Sequence, residues 1–187
     1  MKIGILIVAA GKSERYQQAG GKGNKLNSVL VTRSIFEETL INSINSGLSV
    51  HVITRPDNDG VIHICLQFKI PFSILESQGL GESIAFGVQK TASWDGWLIH
   101  LADMPYVRSE TILRIASELE KYPLVRPYYH GQIGHPVGIS ASYKDELLSL
   151  TGDDGAKSIL RNRTVHQIEI NDNSVINDID YPITVSK

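Results

Sequence analysis

The residues best suited to chemistry in this chain are charged side chains set among glycines. Residues 11–25 hold Gly11, Gly20, Gly21 and Gly23 together with Lys12, Arg15, Lys22 and Lys25. Glycine lets a backbone approach a ligand closely, and free N–H groups beside cationic side chains suit phosphate oxygens. Asp103 follows the apolar run 97–101 directly, in Asp103-Met104-Pro105, and a second acidic group, Asp178-Ile179-Asp180, stands near the C-terminus. Carboxylate oxygens suit a hard cation such as Mg2+, the ion that clustered phosphates require beside them. The expectation is a nucleoside triphosphate gripped by residues 11–25, with magnesium held by Asp103 and completed by one of Asp178 and Asp180.

Two better-known phosphate motifs fail. Gly11-Lys12-Ser13 has the tail of a P-loop, but the glycine required five positions earlier is replaced by Leu6. A dinucleotide fingerprint starting at Gly11 would need glycine at position 13, which is serine. A second turn, Gly79-Leu80-Gly81-Glu82-Ser83, follows one apolar run and opens a helical one, so its N–H groups suit an anion or a base edge. His135 lies between glycines in Gly131-Gln132-Ile133-Gly134-His135-Pro136, where a substrate-side loop and a plain hairpin explain the pattern equally. Asp153-Asp154 precedes a helical stretch and reads as a cap. The histidines have no metal-ligand spacing, and no Ser-His-Asp set is suggested.

These groups need a scaffold. The unbroken apolar run 5–10, rich in β-branched residues, predicts a strand buried on both faces. Ser34 with Glu37 three residues on predicts a helix start, and Gly47 its end. Further helices are predicted over 57–67, 82–90, 109–122 (capped by Ser109), 143–150 and 156–161. Further strands are predicted over 48–54, 72–75, 97–101, 124–129, 137–140, 165–170 and 175–179, with 29–31 as a short extended piece. Strand and helix alternate through the first 120 or so residues, the signature of βαβ units and a mainly parallel sheet. Ligands of such sheets sit beyond the carboxyl ends of the strands. That rule brings the 11–25 loop, the 79–83 turn and Asp103 to one rim. In a strand over 175–179, alternation puts Asp178 and Asp180 on one side.

Composition bounds the rest. A chain of 187 residues, 42% hydrophobic and 20% charged, reads as one domain over 1–187. A net charge of −2 argues for no nucleic acid partner and, with a local cationic loop, for a small anionic ligand. The single Cys65 excludes an internal disulfide, fits a buried structural thiol, and fits a reducing, cytoplasmic setting. The opening apolar run is too short for a membrane span and runs straight into the charged loop, so no membrane partner is expected.

Six motifs in order resemble the MobA-like nucleotidyltransferases, and most closely their molybdenum cofactor cytidylyltransferase branch. They are Val8-Ala9-Ala10-Gly11-Lys12-Ser13-Glu14-Arg15 with Lys25-Leu26; Gly79-Leu80-Gly81-Glu82-Ser83-Ile84; Asp103-Met104-Pro105; Gly134-His135-Pro136; Leu150-Thr151-Gly152-Asp153-Asp154-Gly155-Ala156; and Asp178-Ile179-Asp180-Tyr181-Pro182. The resemblance implies a three-layer αβα, Rossmann-like nucleotidyltransferase fold. It also implies transfer of CMP from CTP to a phosphorylated pterin acceptor, with pyrophosphate released and a molybdoenzyme receiving the product. Ala9-Ala10-Gly11 is the version of the opening motif associated with cytidine nucleotides. By the same resemblance Arg15, Lys25 and Asp103 are catalytic. Ala9, Ala10, Gly11, Lys12, Ser13, Arg15, Lys25, Gly79, Gly81 and Ser83 contact nucleotide, Asp103 and Asp178 hold Mg2+, and His135 faces the acceptor. Two features depart from the family pattern: residues 16–24 lengthen the link between Arg15 and Lys25, and Pro182 is followed by Ile183-Thr184 rather than by an acidic helix start. Cytidylyl transfer to a sugar or polyol phosphate, and nucleotide binding without turnover, are the rival readings.

Overall fold

The computed structural model describes residues 1–182; the last five residues lie outside it. Its centre is an eight-stranded sheet built on β1 (Ile3–Ala9), every residue of which is buried. A strand with no polar face cannot lie at a sheet edge, and β1 is flanked on both sides. On one side it pairs in parallel with β2 (Ser49–Thr54), which pairs in parallel with β3 (Phe72–Ile74). On the other it pairs in parallel with β4 (Gly96–Leu101). Beyond β4 the direction changes. β7 (Val137–Ser140) is antiparallel to both β4 and β5 (Leu124–Tyr129), β6 (Gln132–Ile133) forms a hairpin with β5, and β8 (His166–Glu169) pairs in parallel with β5. The sheet is therefore mostly parallel, as expected, with one antiparallel hairpin inserted.

Helices cover both faces. One face packs α2 (Ile35–Asn45), α3 (Asp59–Gln67) and α5 (Ser109–Leu119) through Phe36, Leu40, Val61, Ile112 and Ile115 onto Ile5, Ile7 and Leu98. The other packs α4 (Leu80–Lys90), α6 (Lys144–Leu148) and α7 (Lys157–Leu160) through Ile84, Val88, Leu147 and Ile159 onto Leu6, Val8 and Ile99. Each fully buried aliphatic side chain contributes about 1.5–3 kcal/mol, so two such cores outweigh the short lengths of α6 and α7. At the start of α2 the Ser34 Oγ accepts from Glu37 N–H at 3.1 Å, as expected, a cap of about 1 kcal/mol.

Three local expectations are corrected. Ser109 is the first residue of α5 rather than its cap; Arg108 holds the cap position and makes no side-chain cap bond. The extended piece expected at 29–31 is cut to the single bridge Val29–Ser34, with bends at residues 30 and 31. Residues 175–179 are not a strand. A 3-10 turn, Asn173–Ile176, ends there, started by the Asp172 side chain accepting from Ser174 N–H at 2.9 Å. The apolar residues Val175 and Ile179 hint at alternation, but Asn177 interrupts it and the local cap outweighs it. The residues that follow run along the rim, tied to another element by the bond from Ile179 N–H to Asp103 O at 3.0 Å.

Candidate active site

The carboxyl ends of β1 and β4 open onto a cleft of about 440 Å³. One wall is the chain from Val8 to Tyr16 with Asn24, Lys25 and Leu26; the other is Ser77 to Leu80 with Ser83; Leu101, Ala102 and Asp103 form the floor, and Asp153 and Asp180 close it. Of the nucleotide-contact candidates, Ala9, Ala10, Gly11, Lys12, Ser13, Arg15, Lys25, Gly79 and Ser83 all line this space. Gly81 does not. Its N–H donates to Gly152 O at 2.8 Å, and an added Cβ would stand 2.5 Å from Thr151 O. That glycine is needed because the 151–153 segment lies against the start of α4.

The lengthened link between Arg15 and Lys25 is a loop closed by its own hydrogen bonds. Its first part is a short helix, α1 (Glu14–Gln18), which buries Tyr16 and hydrogen-bonds the Tyr16 hydroxyl to Ser28. Gly21 N–H returns to Tyr16 O at 2.9 Å and Gln17 Nε2 donates to Gly23 O at 2.9 Å. Asn24 then ties the loop shut, donating to Gly11 O and accepting from Ser13 Oγ and Leu26 N–H, each at 3.1 Å. Lys25 N–H donates to Ser13 Oγ at 3.0 Å, which fixes where its side chain starts. Ser13 has φ 59°, and the N–H groups of Gly11, Lys12 and Ser13 have no hydrogen-bond acceptor among the described residues. Unsatisfied N–H groups in such a turn are an anion-binding arrangement.

Asp103 is held as firmly. Thr39 Oγ1 on α2 donates to Ala102 O at 2.7 Å, and Asn42 Nδ2 donates to Pro105 O at 2.9 Å. Ile179 N–H binds Asp103 O, so the residues on either side of Ile179 are carried toward the same carboxylate. The result is a cluster in which one carboxylate oxygen each from Asp103, Asp178 and Asp180 lie within 4.8 Å of one another. Lys25 Nζ enters it, at 2.6 Å from Asp103 Oδ2 and 3.0 Å from Asp180 Oδ1. Arg15 reaches Asp180 Oδ2 at 3.0 Å from the solvent side.

Among the described residues the charges do not cancel, since three carboxylates face two cationic side chains. Burial works against the Lys25 charge, but Asp103 and Asp180 outweigh it and raise its pKa. Burial likewise works against the Asp180 charge, yet Lys25 and then Arg15 hold it below the usual carboxylate range. Asp178 is exposed as a residue, but partial desolvation of its carboxyl, with the charges of Asp180 and Asp103, pushes its pKa up. Asp103 Oδ1 is buried with no partner among the described residues. An unpaired buried carboxylate oxygen, a carboxylate lacking counter-charge and an all-oxygen donor set fit a hard divalent cation.

The family model for the MobA-like NTP transferase domain matches residues 5–168. The chain belongs to this family. No curated protein sequence matches it. Among solved structures it is similar to Rv0371c from Mycobacterium tuberculosis H37Rv, at TM-score 0.84 and 19% identity over 97% of this chain and 94% of that one. The same Mycobacterium protein also superposes in a complex with manganese, at TM-score 0.79 and 18% identity, covering 92% and 90%. A nucleotidyl transferase from Methanothermobacter thermautotroptrophicus superposes at TM-score 0.80 and 20% identity over 96% and 92%. CMP:2-keto-3-deoxy-manno-octonic acid synthetase complexed with CTP superposes at TM-score 0.75 and 10% identity over 97% and 94%. At these identities the likeness establishes the fold, that of nucleotidyltransferases.

Within this MobA-like domain, sequence reasoning missed three residues at the cleft. Asp180 was passed over for Asp178, yet it is Asp180 that lines the cleft and binds both cations. Asp153 is no helix cap: α7 starts at Lys157 without a side-chain cap, and Asp153 lies against Gly79, where an added Cβ would stand 2.4 Å from its Oδ1. Asn24 latches the loop, and its position directly before Lys25 was the available signal. His135 lies outside the cleft lining, near His100 on the other half of the rim. Among the described residues no helix is long and apolar enough to cross a membrane.

Proposed function

We propose that this MobA-like domain transfers CMP from CTP to a phosphorylated acceptor, of the molybdopterin type, and releases pyrophosphate. One observation carries the reading. Asp103 and Asp180 line a cleft beside the open N–H groups of residues 11–13, where Lys25 and Arg15 pair with them and one carboxylate oxygen of Asp178 lies within 4.8 Å of theirs. CTP follows from Ala9-Ala10-Gly11 and is supported by the CTP complex of a fold neighbour. The pterin acceptor follows from the six-motif resemblance.

The chemistry asks little of a base. The second pKa of a phosphate monoester is about 6, so the attacking oxygen is already ionised at neutral pH. His135, the histidine nearest this rim in sequence motif, is held to a pKa of about 4 by burial and the Arg126 charge, too low to serve as an efficient base. Alignment and charge neutralisation remain. Gly11, Lys12 and Ser13 bind the triphosphate through the backbone, and the 77–83 wall confines the nucleoside. Arg15 and Lys25 take up negative charge on the departing pyrophosphate. Asp103, Asp178 and Asp180 are the residues that would hold magnesium, which when bound would offset phosphate charge.

Pyrophosphate release, measured with CTP, magnesium and a panel of pterin, sugar and polyol phosphates, tests the proposal. Turnover with a pterin phosphate is expected, and Asp103→Ala should abolish it. A 4-diphosphocytidyl-2C-methyl-D-erythritol synthase from Anaerococcus prevotii shares the fold at TM-score 0.70 and 17% identity over 95% of this chain and 92% of that one, which makes the polyol-phosphate reading the second choice. CTP binding without release on any acceptor would leave a binding module in place of the enzyme.

A further inference from the structure

The far half of the rim holds a cation with no counter-charge. Arg126 on β5 is half-buried, and its Nε donates to Gly134 O at 3.2 Å. It forms no ion pair among the described residues. Its lateral neighbour on β8 is the neutral Gln167; Glu169, two residues on, pairs in register with Tyr128 instead. The groups that bear electrostatically on Arg126 and its surroundings are Tyr128, His135 and, behind His135, His100. His100 is fully buried, and neither ring nitrogen has a partner among the described residues. Burial and the Arg126 charge push His135 to a pKa of about 4, and burial with His135 pushes His100 to about 3. At neutral pH both imidazoles are uncharged, and Arg126 alone carries charge in this polar row.

The row is built into the backbone. The second arm of the β5 hairpin is broken between β6 and β7 at residues 134–136. Gly134 N–H donates to Pro127 O and His135 N–H to Val175 O, both at 2.8 Å. An added Cβ at Gly134 would stand 2.6 Å from Val175 O, so the break is closely packed from below. β7 lies beside β4 with Val137 opposite Ile99, which carries the residues before Val137 toward the level of Leu101, on the cleft floor. β5 is two strands from β4, a separation of about 10 Å. A group bound at Arg126 is therefore distinct from one reacting above Asp103.

We propose that Arg126 and His135, with Tyr128 beside them, form an oxyanion-binding subsite for a group on the acceptor other than its attacking phosphate. This rests on reading the cleft above Asp103 as the nucleotide site. A guanidinium partly withdrawn from water with no carboxylate beside it gains from an anion that completes it, and its planar fork binds phosphate or carboxylate through paired hydrogen bonds. The neutral His135 ring adds one donor or one acceptor, and the Tyr128 hydroxyl another. The acceptor class is thus a phosphorylated molecule bearing a second anionic group about one nucleotide's breadth away.

The test is an NMR titration of the full chain, following the His135 ring and the Arg126 Nε–H, with inorganic phosphate and separately with acetate. CTP and magnesium are held at saturation so that the first cleft is filled. Phosphate should move both signals saturably. In Arg126→Gln its affinity should fall about tenfold or more, while Arg126→Lys, which keeps the charge, retains part of the response. Stronger binding of phosphate than of acetate assigns a phosphate on the acceptor, and the reverse a carboxylate. Signals that stay still, that respond equally in Arg126→Gln, or that respond only when CTP is absent overturn the subsite. Failure of CTP to bind the wild-type chain, measured by calorimetry, would instead strike the nucleotide reading, while the phosphate response without nucleotide still decides Arg126.

Discussion

Replacing Lys25 with methionine removes the cation at the centre of the carboxylate cluster and keeps most of its hydrocarbon stem. The Lys25 side chain is 15% exposed, as is that of Asp103, while that of Asp180 is 28% exposed. Breaking a fully buried pair by deleting one partner costs about 3–5 kcal/mol. Here Asp180 keeps Arg15 and is partly hydrated, and Asp103 is not sealed from water, so the cost is reduced to about 2 kcal/mol. For a chain of this size that is a drop of about 4–8 °C in Tm. The signature lies in the conditions. In a chelator the full loss should appear. With millimolar manganese or magnesium it should shrink, because a cation that binds the folded cluster stabilises it by mass action, and Lys25→Met leaves the carboxylates without competition from Nζ. Calorimetric melting in chelator and in metal measures both. A variant that melts like wild type in chelator, or whose loss is the same with metal, refutes the idea that Lys25 and a divalent cation share these oxygens.

Other outcomes follow from the same geometry. Asp103→Asn should keep the fold, since Ala102, Asp103 and Pro105 are tied through backbone carbonyls, yet lower pyrophosphate release by at least about 100-fold; residual turnover near wild type would contradict the assignment. Gly81→Ala should destabilise the domain through its collision with Thr151 O while the cleft residues stay chemically unchanged, and a melting curve matching wild type would show that the 151–153 segment does not lie against α4. Stability should fall as pH drops below the ordinary histidine range. His100 and His135 have folded pKa values of about 3 and about 4, so between these and the ordinary value of 6.5 the unfolded chain binds protons that the fold refuses. Each contributes a slope of about 1.4 kcal/mol per pH unit in that window. Denaturant titrations from about pH 7 to about pH 4.5 measure it, and His100→Leu should flatten the curve.

The scaffold was legible because its signals are local and repeated. The apolar run of β1, the Ser34 cap and Gly47, at φ 76°, each specify structure by themselves. Asp103 was legible as a carboxylate directly beyond a buried strand. The closing acids were found for the wrong reason. A shared strand face is the sequence expectation for Asp178 and Asp180, whereas the chain there is a rim segment hung on Asp103 O through Ile179 N–H, and both carboxylates reach the cluster from that single tether. The order of importance within the pair was hidden, because the Lys25–Asp180 contact spans 155 residues and no local pattern encodes it. Asp153 was misread for a similar reason: a helix does follow it, but its position is set by the glycine-only approach to Gly79. Arg126 gave no sequence signal, since a guanidinium without a partner is recognised only once its neighbours are known.

The central claim is that the Asp103 cluster and the 11–25 loop together hold a metal-bound nucleoside triphosphate. A crystal soaked with CTP and manganese, measured for anomalous scattering, tests it most directly. The account predicts an anomalous peak in coordination range of Asp103 and at least one of Asp178 and Asp180, with triphosphate density along the N–H groups of residues 11–13. Manganese bound elsewhere, or a nucleotide lying away from that loop, would contradict it.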